Sequence, residues 1–252
     1  MSTRLGPVRS YACYYGAGQL AALARRSLVI LQPGHYGPSD LAELRAAGTR
    51  ALAYLSLGET ASAGPETPWL LRDGANGLAT NAEWGTHYID MRSEAFAREQ
   101  LEEVIPAVLG RGFDGLFLDG LDAQDRFPML RDAAVALVRS IRGRLPDAVL
   151  VANRAFTILD RIVDSLDGVM FESFTSYCRA GRYYDWSDGD LAWSEERARA
   201  LRTLCPSLLV LALDYAHPDD RARIAASVGR ARAHGFVPYV GTMALDRLGP
   251  EL

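Results

Sequence analysis

The sequence predicts an α/β fold: a single (β/α)8 barrel of the TIM type with an extended loop after the third strand. Three observations predict it. The chain has 252 residues, the size of one eight-unit barrel. Eight short apolar runs, rich in β-branched and aromatic residues, recur along it. Segments of helical periodicity separate most of them, and strands alternating with helices make βαβ units and a parallel sheet. Strands that are apolar nearly throughout belong in a sheet buried on both faces. The rival is a doubly wound open sheet, which carries a glycine-rich dinucleotide fingerprint after an early strand. Here the first strand runs into Tyr14-Tyr15-Gly16-Ala17-Gly18-Gln19, without the third glycine.

The predicted strands cover residues 11–15 (YACYY), 28–31 (LVIL), 51–55 (ALAYL), 115–118 (GLFL), 148–151 (AVLV), 168–171 (GVMF), 208–213 (LLVLAL) and 236–240 (FVPYV). A weaker ninth run, 87–90, reads as a strand within an insertion. The segment 39–47 starts with a capping residue, Ser39, followed by Asp40, and reads as the helix after strand two. Residues 94–111 place Phe96, Leu101, Val104, Ile105 and Val108 on one helical stripe. Residues 128–144 do the same with Leu130, Ala134, Leu137, Val138 and Ile141. Segments 194–204 and 219–233 are Arg- and Ala-rich helices. Gly48, Gly112 and Gly235 sit where a helix stops and a strand begins. Residues 61–84 are loop-rich, carry two Trp, and fall in the third βα connection, where long loops are usually functional. No domain boundary or repeat appears, so residues 1–252 read as one domain.

Composition excludes several classes. Hydrophobic residues make up 49% and charged residues 23%, too apolar a balance for a disordered chain. The apolar runs are under about 12 residues, too short for a membrane helix. A net charge of −4 argues against general nucleic-acid binding. All 27 basic residues are Arg, which removes Schiff-base lysine chemistry, pyridoxal chemistry and lysine-dependent phosphate loops. Cys13, Cys178 and Cys205 are widely spaced, fit no metal pattern and read as small core residues. His35, His87, His217 and His234 are likewise scattered. No cofactor or metal is expected. No leader-like apolar segment opens the chain, so the expected location is cytoplasmic as written, or exported if a leader precedes these residues. The oligomeric state is open.

Barrel active sites form at the C-terminal ends of the strands. Those ends read Tyr14-Tyr15-Gly16, Gln32-Pro33 with His35 and Tyr36 just beyond, and Ser56-Leu57-Gly58-Glu59. They continue as Asp119-Gly120-Leu121-Asp122, Asn153-Arg154, Glu172-Ser173-Phe174, Asp214-Tyr215 and Gly241-Thr242. Asp and Asn often do no more than cap the next helix. Glu is a poor cap, so Glu59 and Glu172 need either an ion pair with Arg or a function. A rim of Glu59, Asp119, Asp122, Glu172 and Asp214 is costly to bury unless its carboxylates are paired or used. Paired carboxylates on a rigid rim, without metal-ligand spacing or a Ser-His pattern, point to glycoside hydrolysis. One carboxyl attacks or activates water at the anomeric carbon and the other protonates the leaving oxygen. The loops also carry Trp69, Trp84, Tyr88, Tyr177, Tyr183, Tyr184, Trp186, Trp193 and Tyr215, whose rings suit the C–H faces of sugars or simply pack.

The chain resembles glycoside hydrolase family 114, the endo-α-1,4-polygalactosaminidases, and the related hydrolase domain of Pel-polysaccharide enzymes. The residues that carry the resemblance are Tyr14-Tyr15-Gly16, the block 29–36 (VILQPGHY) and, most distinctive, the block 53–59 (AYLSLGE). Residues 112–119 (GFDGLFLD), 151–154 (VANR), Phe171-Glu172-Ser173, Pro238-Tyr239-Val240 and Leu245-Asp246 follow in order. The similarity spans about residues 10–247. It implies a barrel that cleaves α-1,4-linked galactosamine or N-acetylgalactosamine polysaccharide internally, with the strand-four Asp119 and strand-six Glu172 as the catalytic pair. Asp119 would be the nucleophile and Glu172 the acid/base, or the reverse. Asp122 is the alternative working carboxylate; otherwise it pairs with Arg126 one helical turn on. A retaining mechanism requires the pair about 5–6 Å apart and one carboxyl with a raised pKa. An acidic rim would attract a cationic amino sugar. Glu59, Asp122 and Asp214 are the candidates for holding its amine or hydroxyls, with Tyr15, His35, Tyr36, Asn153 and Tyr215 as further binding residues. The alternative is a non-catalytic carbohydrate-binding barrel on the same fold.

Overall fold

The computed structural model describes residues 4–64, 66–73 and 77–250. Eight strands form one parallel sheet: β1 (Tyr11–Tyr14), β2 (Leu28–Leu31), β3 (Arg50–Ser56), β4 (Gly115–Asp119), β5 (Val149–Asn153), β6 (Gly168–Glu172), β7 (Leu209–Tyr215) and β8 (Val237–Gly241). They lie in sequential order from β1 to β8. Strands β1 and β8 stand side by side, so the sheet curls into a nearly closed barrel. Across that seam the Tyr15 N–H donates to the Leu245 carbonyl at 2.7 Å, and the rings of Tyr11 and Tyr239 meet at 5.4 Å. The strands are buried on both faces: all four residues of β1 and of β2 are buried, as are all five of β5. Each fully buried Leu, Ile or Val contributes about 1.5–3 kcal/mol.

The helices cover the sheet and follow the sequence pattern with three differences. The helix after β2 runs Pro38–Ala46, and its start is closed by Asp40, whose Oδ2 accepts the Gly37 N–H at 2.8 Å. Ser39, the expected cap, lies inside the first turn. The stretch from Glu94 to Gly110 is helical throughout but widens into a π turn over Gln100–Val104. Pro106 lies just beyond and has no N–H to donate back to residue 102, which accounts for the irregular turn. The helix before β7 starts at Asp188, earlier than its apolar pattern indicates, because Ser187 accepts the Asp190 N–H there. Gly48, Gly112 and Gly235 all end helices in the left-handed conformation. No helix among the described residues is long and apolar enough to cross a membrane.

The insertion after β3 is folded. Short strands Glu59–Thr60, Thr80–Asn81 and Thr86–Tyr88 make a three-stranded antiparallel sheet, and Arg72–Asp73 pairs with Gly77–Leu78. The ninth expected strand is therefore present as Thr86–Tyr88. Residues 65 and 74–76 of the insertion lie outside the described residues. A second excursion follows β6: strands Ser176–Arg179 and Arg182–Asp185 form an antiparallel hairpin. Residues of both excursions line the barrel mouth.

Candidate active site

Strand geometry selects which residues reach the barrel interior. Side chains alternate across a strand, so Tyr54 and Ser56 on β3 share the inner face. Phe117 with Asp119, Met170 with Glu172, and Leu213 with Tyr215 do the same. All eight line one cleft of about 970 Å³ at the C-terminal ends of the strands. Adjacent strands β4, β5 and β6 then bring Asp119, Asn153 and Glu172 together. The Asn153 Nδ2 donates to Asp119 Oδ1 at 2.9 Å and to Glu172 Oε2 at 2.6 Å. The amide thus turns its NH2, not its carbonyl, toward both carboxyl groups. Laid end to end, these contacts keep the two oxygens within about 5.5 Å. The other oxygens are also held: Tyr54 donates to Asp119 Oδ2 at 2.7 Å, and Tyr215 donates to Glu172 Oε1 at 2.6 Å. Burial and the neighbouring carboxylates push both phenols well above their ordinary pKa, so they stay donors at any working pH.

A sharp backbone turn follows each of these three strands. Gly120, Arg154 and Ser173, the residues after Asp119, Asn153 and Glu172, all have positive φ, at 72°, 53° and 56°. Such values are unusual for Arg and Ser and cluster at functional sites. Glycine is required at one of them for space as well. A Cβ on Gly120 would lie 2.7 Å from the Gly58 nitrogen, and one on Gly58 would lie 1.9 Å from the Gly120 carbonyl oxygen. The ends of β3 and β4 therefore pass in direct backbone contact, which sets where Glu59 enters the cleft.

Glu59 lines the cleft and ties the insertion to the barrel. Its carboxylate accepts from Asn81 Nδ2 at 3.1 and 3.2 Å and from the Thr86 hydroxyl at 2.5 Å. Asp122 also lines the cleft. Recess from solvent pushes it up to about 6; Arg154 opposes this, and the charges of Asp119 and Glu172 reinforce it. Asp122 does not pair with Arg126, whose guanidinium lies over the Tyr88 and Phe127 rings instead. Its nearest cation is Arg154, at 3.6 Å. Tyr15 reaches the cleft with its ring edge-on to Tyr54 at 5.0 Å.

Three expected site residues lie elsewhere. His35 and Tyr36 are carried past the rim by the turn Pro33–His35. His35 is exposed with Nδ1 3.1 Å from the Gly16 carbonyl, and buried Tyr36 donates to the Gly16 and Gly18 carbonyls. Asp214 alternates with Leu213 and Tyr215, so it points out of the barrel. It is fully buried there, and its Oδ1 accepts the N–H groups of Thr175 and Ser176 at 2.6 and 2.9 Å. Asp214 thus anchors the root of the hairpin. Burial pushes its carboxyl up to about 6, against those two donors.

Residues outside the sequence-based set complete the site: Tyr54 and Ser56 from β3, Arg154 after β5, and Asn81 and Thr86 from the insertion. Alternation back from Ser56, which lies level with Asp119 in the β3–β4 register, points to Tyr54. Asn81 and Thr86 carry no local signal. The hairpin presents a ring stack, with Tyr177 against Trp186 at 4.0 Å and against Tyr184 at 5.2 Å. Trp186 is fixed by its Nε1, which donates to the Ser173 carbonyl at 2.7 Å. Trp84, 51% exposed, stands on the insertion side of the mouth. Trp69 and Trp193 pack on Phe96 and Phe171 and are structural. Cys178 lines the cleft, but burial and the charge of Glu172 push its thiol up to about 12, which removes it as a nucleophile. Among the described residues, no three His, Cys, Asp or Glu side chains are grouped to hold a metal ion.

Known proteins share this fold. The chain is 28% identical to the glycoside hydrolase domain of PelA from Pseudomonas aeruginosa, with a TM-score of 0.85 over 97% of this chain and 98% of that one. It superimposes on Ega3 from Aspergillus fumigatus, solved with galactosamine, with a TM-score of 0.69 at 14% identity over 96% and 95% of the two chains, a likeness of fold. An uncharacterised protein of Deinococcus radiodurans is 30% identical over 234 residues, 84% of this chain and 70% of its own length. The model of glycoside-hydrolase family GH114 matches residues 33–251, and the chain, a glycoside hydrolase, belongs to that family.

Proposed function

We propose that the whole chain works as one barrel that cleaves α-1,4-linked galactosamine and N-acetylgalactosamine polysaccharide internally with retention. The observation that carries this reading is the Asn153 amide shared by Asp119 and Glu172, which keeps their nearest oxygens within about 5.5 Å, the spacing of retaining enzymes. An inverting enzyme needs a wider gap to admit water between acid and base. The substrate class is supported by Ega3, a protein of related fold solved in complex with galactosamine. The acidic cleft adds an electrostatic reason, because unacetylated galactosamine is a cation.

Asp119 attacks the anomeric carbon and forms a glycosyl ester, while the protonated Glu172 gives its proton to the leaving oxygen. Glu172 then takes a proton from water, which attacks the anomeric carbon from the opposite side and releases Asp119. Tyr54 and Tyr215 hold one oxygen of each carboxyl group and Asn153 contacts the other two, so all four oxygens are oriented before the sugar arrives.

The test is digestion of partly deacetylated α-1,4-galactosaminan by the wild type, Glu172→Gln and Asp119→Asn, read by mass spectrometry. Oligosaccharides should come from the wild type, with turnover reduced by at least about 10³-fold in each variant. On an aryl galactosaminide with a leaving group that needs no proton, Glu172→Gln should still release the aryl group in a burst, and Asp119→Asn should not. A burst from Asp119→Asn alone would reverse the two roles. Saturable binding by the wild type with no product would identify a binding barrel instead.

A further inference from the structure

The cleft wall carries five carboxylic side chains and three arginines, Arg126, Arg154 and Arg179, of which Arg154 follows Asn153 beside the catalytic pair. Its guanidinium is 3.6 Å from Asp122 Oδ2, beyond hydrogen-bond length, with the two side chains 37% and 39% exposed. Asp122 gives no cap to the helix Ala123–Arg126, and Arg126 is occupied by aromatic rings. Neither Arg154 nor Asp122 makes a side-chain hydrogen bond among the described residues. Asp119 and Glu172, in contrast, have both oxygens occupied. Arg154 is also held in a strained left-handed conformation, φ 53°, with its N–H donating to the Met170 carbonyl at 2.9 Å. An opposite-charge pair with unused donors and acceptors, fixed at the mouth of a cleft, is built to meet a ligand.

The geometry points to Arg154 and Asp122 as the pair that reads N-acetylation of the sugar bound beside the scissile bond, with Arg154 donating to the acetamido carbonyl and cancelling the charge by which Asp122 would hold a free ammonium. This rests on the galactosamine-polymer reading above. An ionised carboxylate has no donor for a carbonyl oxygen, whereas a guanidinium has five. A lone carboxylate attracts an ammonium strongly, and a carboxylate beside a guanidinium does so weakly, because the two fields largely cancel. Removing one member should therefore move the preference one way, and removing the other should move it the opposite way. A pair that contacted only hydroxyls would be blind to acetylation.

The experiment compares wild type, Arg154→Gln and Asp122→Asn at pH 8, where Asp122 is charged. The substrates are fully deacetylated and partly acetylated α-1,4-galactosaminan of matched length. The reading is the ratio of kcat/KM on the acetylated polymer to that on the deacetylated one. Arg154→Gln should lower the ratio about tenfold, and Asp122→Asn should raise it several-fold. Arg154→Gly, suited to the left-handed backbone, replaces the Gln variant if that one does not fold. Equal losses on both polymers, or shifts of the same sign in both variants, overturn the assignment. In the Glu172→Gln background, the same ratio is read from dissociation constants for galactosamine and N-acetylgalactosamine oligosaccharides. A wild type that cleaves neither polymer defeats the functional reading; an unchanged ratio of dissociation constants defeats the role of the pair.

Discussion

Asn153 is 7% exposed and gives both hydrogens of one amide to Asp119 and Glu172. A hydrogen bond held in a recess is strengthened by the low local dielectric, and here two of them also fix a spacing. Asn153→Ala should lower kcat by about 10²-fold, with a much smaller change in KM, because preorganised donors act mainly in the transition state. Steady-state kinetics on the polymer checks this; a KM effect alone would make Asn153 a binding residue only. The sequence shows an Asn at the end of strand five and no more. Its bridging role depends on β4, β5 and β6 being neighbours with their ends level, a long-range fact that no local pattern holds. Asp119 and Glu172 were more legible, since each ends an apolar run with a carboxylate that has little reason to be buried. Asp214 also ends an apolar run, but the alternation that turns Leu213 and Tyr215 inward turns it out of the barrel, so position at a strand end alone does not place a side chain in the cleft.

At the scale of elements, the barrel strands and most helices follow from apolar runs and helical stripes. The insertion does not, because strands of two or three residues leave too short a pattern to read. The hairpin Ser176–Arg179 with Arg182–Asp185 is anchored from outside the barrel. Asp214 accepts two N–H groups at its root, and Arg223 binds Asp185 at its far strand through contacts of 2.7 and 3.1 Å. A carboxyl whose folded pKa is about 6 binds its proton more tightly when folded than when unfolded, near 3.9. It therefore favours folding at low pH. That contribution, roughly 2–3 kcal/mol, is full below about pH 4 and lost as pH rises through about 6. Asp214→Asn keeps an oxygen for both N–H groups and cannot ionise. Thermal unfolding from pH 4 to 7 should show a smaller decline for Asp214→Asn than for the wild type; parallel curves would mean the group does not titrate in the folded state.

Over the whole molecule, the excess of 31 acidic over 27 basic residues is small, but the cleft sets Glu59, Glu83, Asp119, Asp122 and Glu172 against only Arg126, Arg154 and Arg179. Field lines concentrate in such a recess and speed the arrival of a cationic polymer. On deacetylated galactosaminan, kcat/KM should fall several-fold between low salt and about 0.5 M, as screening shortens the reach of these charges. On fully acetylated polymer the same titration should be nearly flat, and equal slopes would remove long-range attraction from the account. The fold class was legible at this scale because eight apolar runs in a chain of this length leave few alternatives. The two lips of the cleft were not, because their partners lie tens of residues apart. Those lips carry Trp84 and Trp186, while Trp69 and Trp193 are packed away from the mouth. Two of the four indoles thus stand where a polymer chain would cover them and two do not, so the protein carries its own optical gauge of occupancy: ultraviolet emission can report filling of the cleft without any label.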